Sequence, residues 1–167
     1  MLLPIGKNSQ LRFWLKLSEV LMKIIIDADA CPVVDITIGL AKERGLPCII
    51  VCDNTHSIEK DGAKTIVVDK GADSADCKIA NLTEKGDVIV TQDYGLAALI
   101  LGKGAKALNQ NGLIYTNDNI DNLLFTRHIS KKERMAGNRT KGPKKRTHQN
   151  DLDFINSFIM CIEQVTK

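Results

Sequence analysis

Ile24-Ile25-Ile26-Asp27-Ala28-Asp29-Ala30-Cys31-Pro32 is the stretch that decides how the chain is read. Three consecutive β-branched residues lack the alternation of a half-exposed strand. They predict a strand buried on both faces, as in a parallel sheet. Two carboxylates follow at once, and Pro32, with its fixed φ and missing N–H, suits the first turn of a helix. A strand, an acidic turn and a helix start place Asp27 and Asp29 at the carboxyl end of a strand, where open α/β sheets bind ligands. Two such charges repel by about 4 kcal/mol at ~4 Å in an effective dielectric of ~20. Solvent, backbone donors or a bound cation must offset that repulsion.

Outward from this stretch, strands and helices alternate. Val33, Val34, Ile36, Thr37, Leu40 and Ala41 give a helical stripe that Gly45 ends. Pro47 to Val51, Thr65 to Val68, Val88-Ile89-Val90 and Ala105 to Leu108 read as further strands. Between them, Asp73 or Ser74 can cap a helix carrying Ala75, Ile79, Ala80 and Leu82. Leu96 to Leu101 is a second apolar helix, and Asn111-Gly112 is a tight-turn signal before Leu113-Ile114-Tyr115. A longer helix is expected from about Asn119 through Ile129, then a basic loop, then a closing helix with Leu152, Ile155, Phe158, Ile159, Ile162 and Val165. The expected fold is α/β: a three-layer sandwich on a mostly parallel sheet of about five strands. Right-handed crossovers then bring every strand-to-helix turn to one edge.

The 167 residues suit one compact domain with a full core. A net charge of +3 is mild, so attraction to nucleic acid would have to come from local patches. The five cysteines form no CxxC pair and no zinc spacing, which fits free thiols in a reducing cytoplasm. His56, His128 and His148 are scattered, with no metal-ligand spacing. In residues 1–22, Leu11, Phe13, Trp14, Leu15, Leu17, Val20 and Leu21 are interrupted by Arg12, Lys16 and Glu19. The segment is too short and too charged to span a bilayer and lacks the plan of a signal peptide. It reads as an extension, with Met22 the expected natural start, the domain covering 23–167, and no membrane partner.

Three turns carry acids: Asp27 and Asp29, Asp73 and Asp76, and Asp93. Acids at helix starts also serve as caps that complement the dipole. Capping is the preferred reading for Asp73, and both readings stand for Asp93. One cap does not need two acids flanking a turn, so a functional reading is preferred for Asp27 with Asp29. Carboxylates converging from separate strand ends suit Mg²⁺ or Mn²⁺, hard ions that activate water and stabilise phosphodiester oxyanions.

Ile26-Asp27-Ala28-Asp29-Ala30-Cys31-Pro32-Val33, Gly71-Ala72-Asp73-Ser74-Ala75-Asp76, Gly86-Asp87-Val88-Ile89-Val90-Thr91-Gln92-Asp93 and Asn109-Gln110-Asn111-Gly112 resemble the hallmark segments of the bacterial YaiI/YqxD family. Arg134, Gly137, Thr140, Gly142-Pro143, Asp151 and Phe154 extend the resemblance from about Met22 to the C-terminus. That family in turn resembles PIN-like nuclease domains, in which acids after the first and fourth strands and on an intervening helix bind divalent metal. The resemblance implies a PIN-like fold in which Asp27, Asp29, Asp76 and Asp93 are metal-binding and catalytic, acting with Mg²⁺ or Mn²⁺ on RNA or single-stranded nucleic acid. Two departures stand out: Asp76 occupies a position where glutamate is commoner, and no fourth acid is clear. Asn117, Asp118, Asn119 and Asp121 are the nearby candidates.

Lys131, Lys132, Arg134, Arg139, Lys141, Lys144, Lys145 and Arg146 stand against Glu133 alone. Arg134, Arg139, Lys141, Lys144, Lys145 and Arg146 are candidate phosphate contacts, with a solvated loop as the bland alternative. No aromatic residue interleaves, so base stacking is unsupported. Three rival readings remain. In a haloacid-dehalogenase-like phosphohydrolase Asp27 would be the nucleophile and Asp29 the acid/base, but Cys31 and the position of Gly86-Asp87 depart from that pattern. A Cys31 thiolate is disfavoured by its acidic neighbours. The last is a non-catalytic module that binds nucleic acid or protein.

Overall fold

The computed structural model describes residues 22–54, 58–69, 71, 74–138, 142 and 144–164. Residues 1–21 of the expected N-terminal extension, Asp73, Arg139 and Lys141 therefore lie outside the described residues; Met22, assigned to that extension, is instead buried in the core. Eleven elements follow in order: β1 (Ile24–Asp27), α1 (Val34–Glu43), β2 (Cys48–Asp53), β3 (Lys64–Val68), α2 (Ser74–Leu82), β4 (Val88–Val90), α3 (Tyr94–Gly102), β5 (Lys106–Leu108), β6 (Ile114–Tyr115), α4 (Ile120–Met135) and α5 (His148–Glu163). The six strands form one sheet in the order β3-β2-β1-β4-β5-β6. Neighbours pair in parallel from β3 to β5, and β6 returns antiparallel on β5. The sixth strand is the short return of the Asn111-Gly112 turn.

β1 is central, and its three isoleucines are fully buried at 0% exposure. Alternation divides them between two cores. Ile24 and Ile26 join Val33, Ile38, Phe154 and Phe158 on the α1–α5 side. Ile25 joins Val51, Ile79, Ile89, Leu96 and Ile100 on the α2–α4 side. Each such side chain contributes roughly 2 kcal/mol of transfer free energy. Helices on both faces of a parallel sheet make three layers, as the β-branched run requires.

Two local expectations need correction. Pro32 does not enter the helix: α1 begins at Val34, and Pro32 and Val33 stay in the preceding turn. The cause is Ala30, whose left-handed φ of 57° reverses the chain before helical geometry can start. The basic segment is also more helical than expected. α4 runs to Met135 and stops before Gly137, at φ 84°, so Lys131, Lys132 and Arg134 are helical rather than loop residues. Nothing between Ile129 and Met135 is a helix breaker, and charge alone does not end a helix.

At the amino edge of the sheet, Asp87 is fully buried and joins the starts of β1 and β4. Its carboxylate accepts the amides of Lys23 (3.0 Å) and Glu84 (2.7 Å) and pairs with the Lys23 ammonium at 2.8 Å. Removing one partner of a buried pair strands the others. Asp87→Ala is expected to lower stability by about 3 kcal/mol. Urea denaturation checks this, and a change below ~0.5 kcal/mol would contradict it.

Candidate functional site

The strand order reverses beside β1: β2 and β3 lie to one side, β4 to β6 to the other. The crevice outside the carboxyl ends of β1 and β4 is therefore the topological switch point, where open α/β sheets bind ligands. Asp27 ends β1 there. Alternation gives it the side of Ile25, facing α2–α4. The register pairs Ile26 with Val90, so Asp27 and Thr91 come level one step later.

Thr91 organises this crevice. Its hydroxyl donates to Asp27 Oδ2 at 2.7 Å, and the same oxygen accepts the Asp93 amide at 3.1 Å. Tyr115, buried beneath, donates its hydroxyl to the Thr91 carbonyl at 3.2 Å. Asp93 is the N-cap of α3 and accepts the Leu96 amide at 2.9 Å through Oδ1. Its Oδ2 accepts from Arg127 of α4 at 2.9 Å, and that guanidinium also lies 5.8 Å from the Tyr94 ring centroid. Asp93 thus both caps a helix and faces the crevice.

The acids have been driven apart in character. Burial pushes the Asp27 carboxyl up to about 6; the Thr91 hydrogen bond opposes this, while Asp76, Asp29 and Asp93 push it higher. Burial also raises Asp93, but the Leu96 amide and Arg127 outweigh it and hold the group below the ordinary carboxylate range. Burial, aided by Asp27, raises the Cys31 thiol, which disfavours a thiolate nucleophile there.

Asp29 accepts the Asp53 amide at 3.2 Å through each oxygen, which turns it toward the end of β2. There Asp29, Asp53, Asp69 and Ser74 line a cleft of about 340 Å³. Directly after Asp29, Ala30 holds a left-handed conformation that costs an L-residue ~1–2 kcal/mol. Two hydrogen bonds maintain it: Cys31 amide to Ala28 carbonyl (3.1 Å), and Gln92 side chain to Ala30 carbonyl (3.1 Å).

Asp27, Asp29, Asp76 and Asp93 thus share one electrostatic neighbourhood. Among the described residues, however, no three His, Cys, Asp or Glu side chains stand as a ready metal cluster. Asp93 is engaged by Arg127 and Asp29 by the β2 backbone. The donors are hard oxygens suited to Mg²⁺ or Mn²⁺, and the charge crowding on Asp27 is what a cation relieves. By chemistry the set fits such an ion; by placement Arg127 must first release Asp93.

The basic candidates scatter. Arg134 donates to the Ser130 carbonyl of its own helix, at 3.3 Å. Arg146 is a clamp on Asp151 and Asn111. Lys144 and Lys145 are exposed. Sequence reasoning missed Thr91, Tyr115, Asp53 and Arg127. A polar Thr91 in register with Asp27 was a usable signal; Arg127, on a charged helix far along the chain, gave none.

The raised Asp27 pKa fixes a sign. The folded state holds that proton more tightly than the unfolded chain, so stability falls as pH rises from the ordinary 3.8 to about 6 and stays lower above. Asp27→Asn keeps an acceptor for Thr91 and removes the charge. It is expected to stabilise the protein by about 2 kcal/mol at pH 7, with the gain vanishing below about pH 4. Thermal unfolding across that range checks it; a destabilised variant at pH 7 would contradict it.

Relatives share most of this chain. A UPF0178 protein of Exiguobacterium sibiricum is 52% identical over 145 residues, covering 87% of this chain and 99% of its own. One from Ruminiclostridium cellulolyticum is 50% identical, covering 85% and 93%. A UPF0178 protein of Clostridium acetobutylicum is 48% identical, covering 82% and 94%. Among solved structures, Rae1 (YacP) from Bacillus subtilis aligns with a TM-score of 0.38 at 15% identity, over 87% of this chain and 98% of that one. That likeness is too distant to carry an argument. No helix among the described residues is long and apolar enough to cross a membrane. Residues 25–164 match the family described as "Uncharacterized BCR, YaiI/YqxD family", and the chain belongs to it.

Proposed function

We propose that the crevice at the carboxyl ends of β1 and β4 holds Mg²⁺ or Mn²⁺ and that the protein hydrolyses phosphodiesters of RNA or other single-stranded nucleic acid. One observation carries this reading: among the described residues Asp27, half-buried at the topological switch point, has one hydroxyl donor and three acids around it. Asp27, Asp76 and Asp93, with Asp29 beside them, would hold the ion. When bound it supplies an activated water and neutralises charge developing on the phosphate.

The chain's own residues do the positioning. Thr91 fixes the Asp27 carboxyl and the Asp93 backbone through one oxygen. Tyr115 holds Thr91 from below. Arg127 pairs with Asp93, and its half-exposed guanidinium would reach a substrate phosphate by leaving that pair. Sealed apolar cores beneath keep the crevice rigid.

A second reading, a nucleic-acid-binding module without catalysis, is favoured by the Arg127–Asp93 pair, which already supplies a cation. Calorimetry and a cleavage assay separate the two. Mn²⁺ is expected to bind and to support cleavage of single-stranded RNA, with Asp27→Asn and Asp93→Asn each abolishing cleavage. Arg127→Gln frees Asp93 and is expected to tighten Mn²⁺ binding by about threefold or more. Absence of both Mn²⁺ binding and cleavage would overturn the nuclease reading.

A further inference from the structure

The same edge of the sheet has a second side, above α1 and α5. There Arg146 donates Nε to Asp151 (2.9 Å) and a terminal nitrogen to the Asn111 side chain (3.0 Å). This ties the segment before α5 to that helix and to the β5–β6 turn. Gly112 of the turn sits at φ 83°, and a Cβ there would stand 2.5 Å from the Asp153 carbonyl oxygen. Turn and helix are therefore in backbone contact, and no side chain can come between them.

A cleft of about 540 Å³ opens above this junction; Lys144, Lys145, the Asp151-paired Arg146 and Thr147 are among its lining residues, with Pro32 and Gln110. No acid lines it. Lys144 and Lys145 are exposed, and neither forms an ion pair among the described residues. Thr147 begins α5, so the positive end of a sixteen-residue helix closes one side. In the wall, the Gln110 carboxamide oxygen is buried without a hydrogen-bond partner; as an acceptor it takes no part in holding a phosphate, which falls to the lysines and the helix start. Pro32 belongs to the turn that carries Asp27 and Asp29, so the cleft adjoins the acidic crevice across β1.

We infer that this cleft is a phosphate subsite, taking a backbone phosphate of a single-stranded polynucleotide next to the one presented to Asp27 and Asp93. The inference rests on the nuclease reading of the acidic edge. Two unpaired ammonium groups are point-charge phosphate binders, and a fixed helix start supplies further positive potential. Acids on one side of β1 and free lysines on the other give a bound strand one direction across the edge. An anionic backbone avoids the Asp29–Asp53–Asp69 cleft by repulsion and is drawn to the lysine side.

Fluorescence anisotropy with a short fluorescein-labelled oligoribonucleotide tests this, using Asp27→Asn protein in EDTA so that nothing is cut. Lys144→Gln with Lys145→Gln is expected to weaken binding about tenfold and to flatten the salt dependence by ~1.4 in log–log slope, about 0.7 per lost contact. Lys42→Gln with Lys85→Gln, an equal loss of charge at exposed positions elsewhere, is expected to leave affinity within about twofold. Equal losses in the two double variants, or none in the first, would overturn the subsite. Calorimetry with Mn²⁺ on the charged-acid protein keeps the two readings apart. If Lys144→Gln/Lys145→Gln binds Mn²⁺ and cuts RNA with unchanged KM, the subsite fails and the acidic centre stands. If Mn²⁺ never binds yet the lysine effect persists, the metal reading fails and the phosphate cleft stands.

Discussion

Ile24, Ile25 and Ile26 fill both faces of the central strand, and the placement of every candidate site residue depends on that. A strand with no solvent side cannot carry a charge until it leaves the sheet, so the first polar residue marks the edge. Alternation then leaves no choice of side: Asp27 follows Ile25 toward α2–α4. A slip of one residue against β4 would send Asp27 to the opposite face and bury Ile24 and Ile26 in the wrong core. The apolar packing thereby fixes the position of a carboxylate that it does not itself touch.

The β1–β4 ladder carries an aspartate at each end, and the two are treated differently. At the amino edge, Asp87 receives two backbone amides and an ammonium. Its charge is matched on the spot, and the role is mechanical: it locks the register. At the carboxyl edge, Asp27 receives one hydroxyl and faces three acids. The fold thus contains its own example of how a buried acid is neutralised for structure, and Asp27 is not neutralised that way. The strained Ala30 beside it points the same way, since the fold maintains that conformation through the Gln92 side chain.

The layers, the strand order's raw material and the three acidic turns were legible because they depend on runs and periods within short windows. The β-branched runs of β1 and β4 and the Gly-marked helix ends supplied them. Long-range pairings were not legible. Arg127 reaches Asp93 across 34 positions, and Arg146 reaches Asn111 across 35. Neither pairing leaves a local pattern, because an arginine on a charged helix looks the same whether it meets solvent or a carboxylate. The basic run hides its pairings for the same reason. Composition grouped Arg134 with Arg146, yet one serves its own helix and the other clamps a turn. Lys144 and Lys145 are exposed and form no ion pair among the described residues.

That leaves an edge with one cleft lined by acids and another lined by lysines. A metal-dependent phosphodiesterase needs negative potential where the ion sits and positive potential where the substrate lies, and the two requirements conflict at one point. On the proposed reading, placing them on opposite sides of β1 would resolve the conflict. The acids collect on the side that alternation assigns to Asp27, and the lysines on the side reached by the chain entering α5. Arg127 sits within the acidic half, holding Asp93 in the charged form. On the proposed metal reading the same pair would set the strength of the site, because an ion taking Asp93 would compete with a guanidinium already in place.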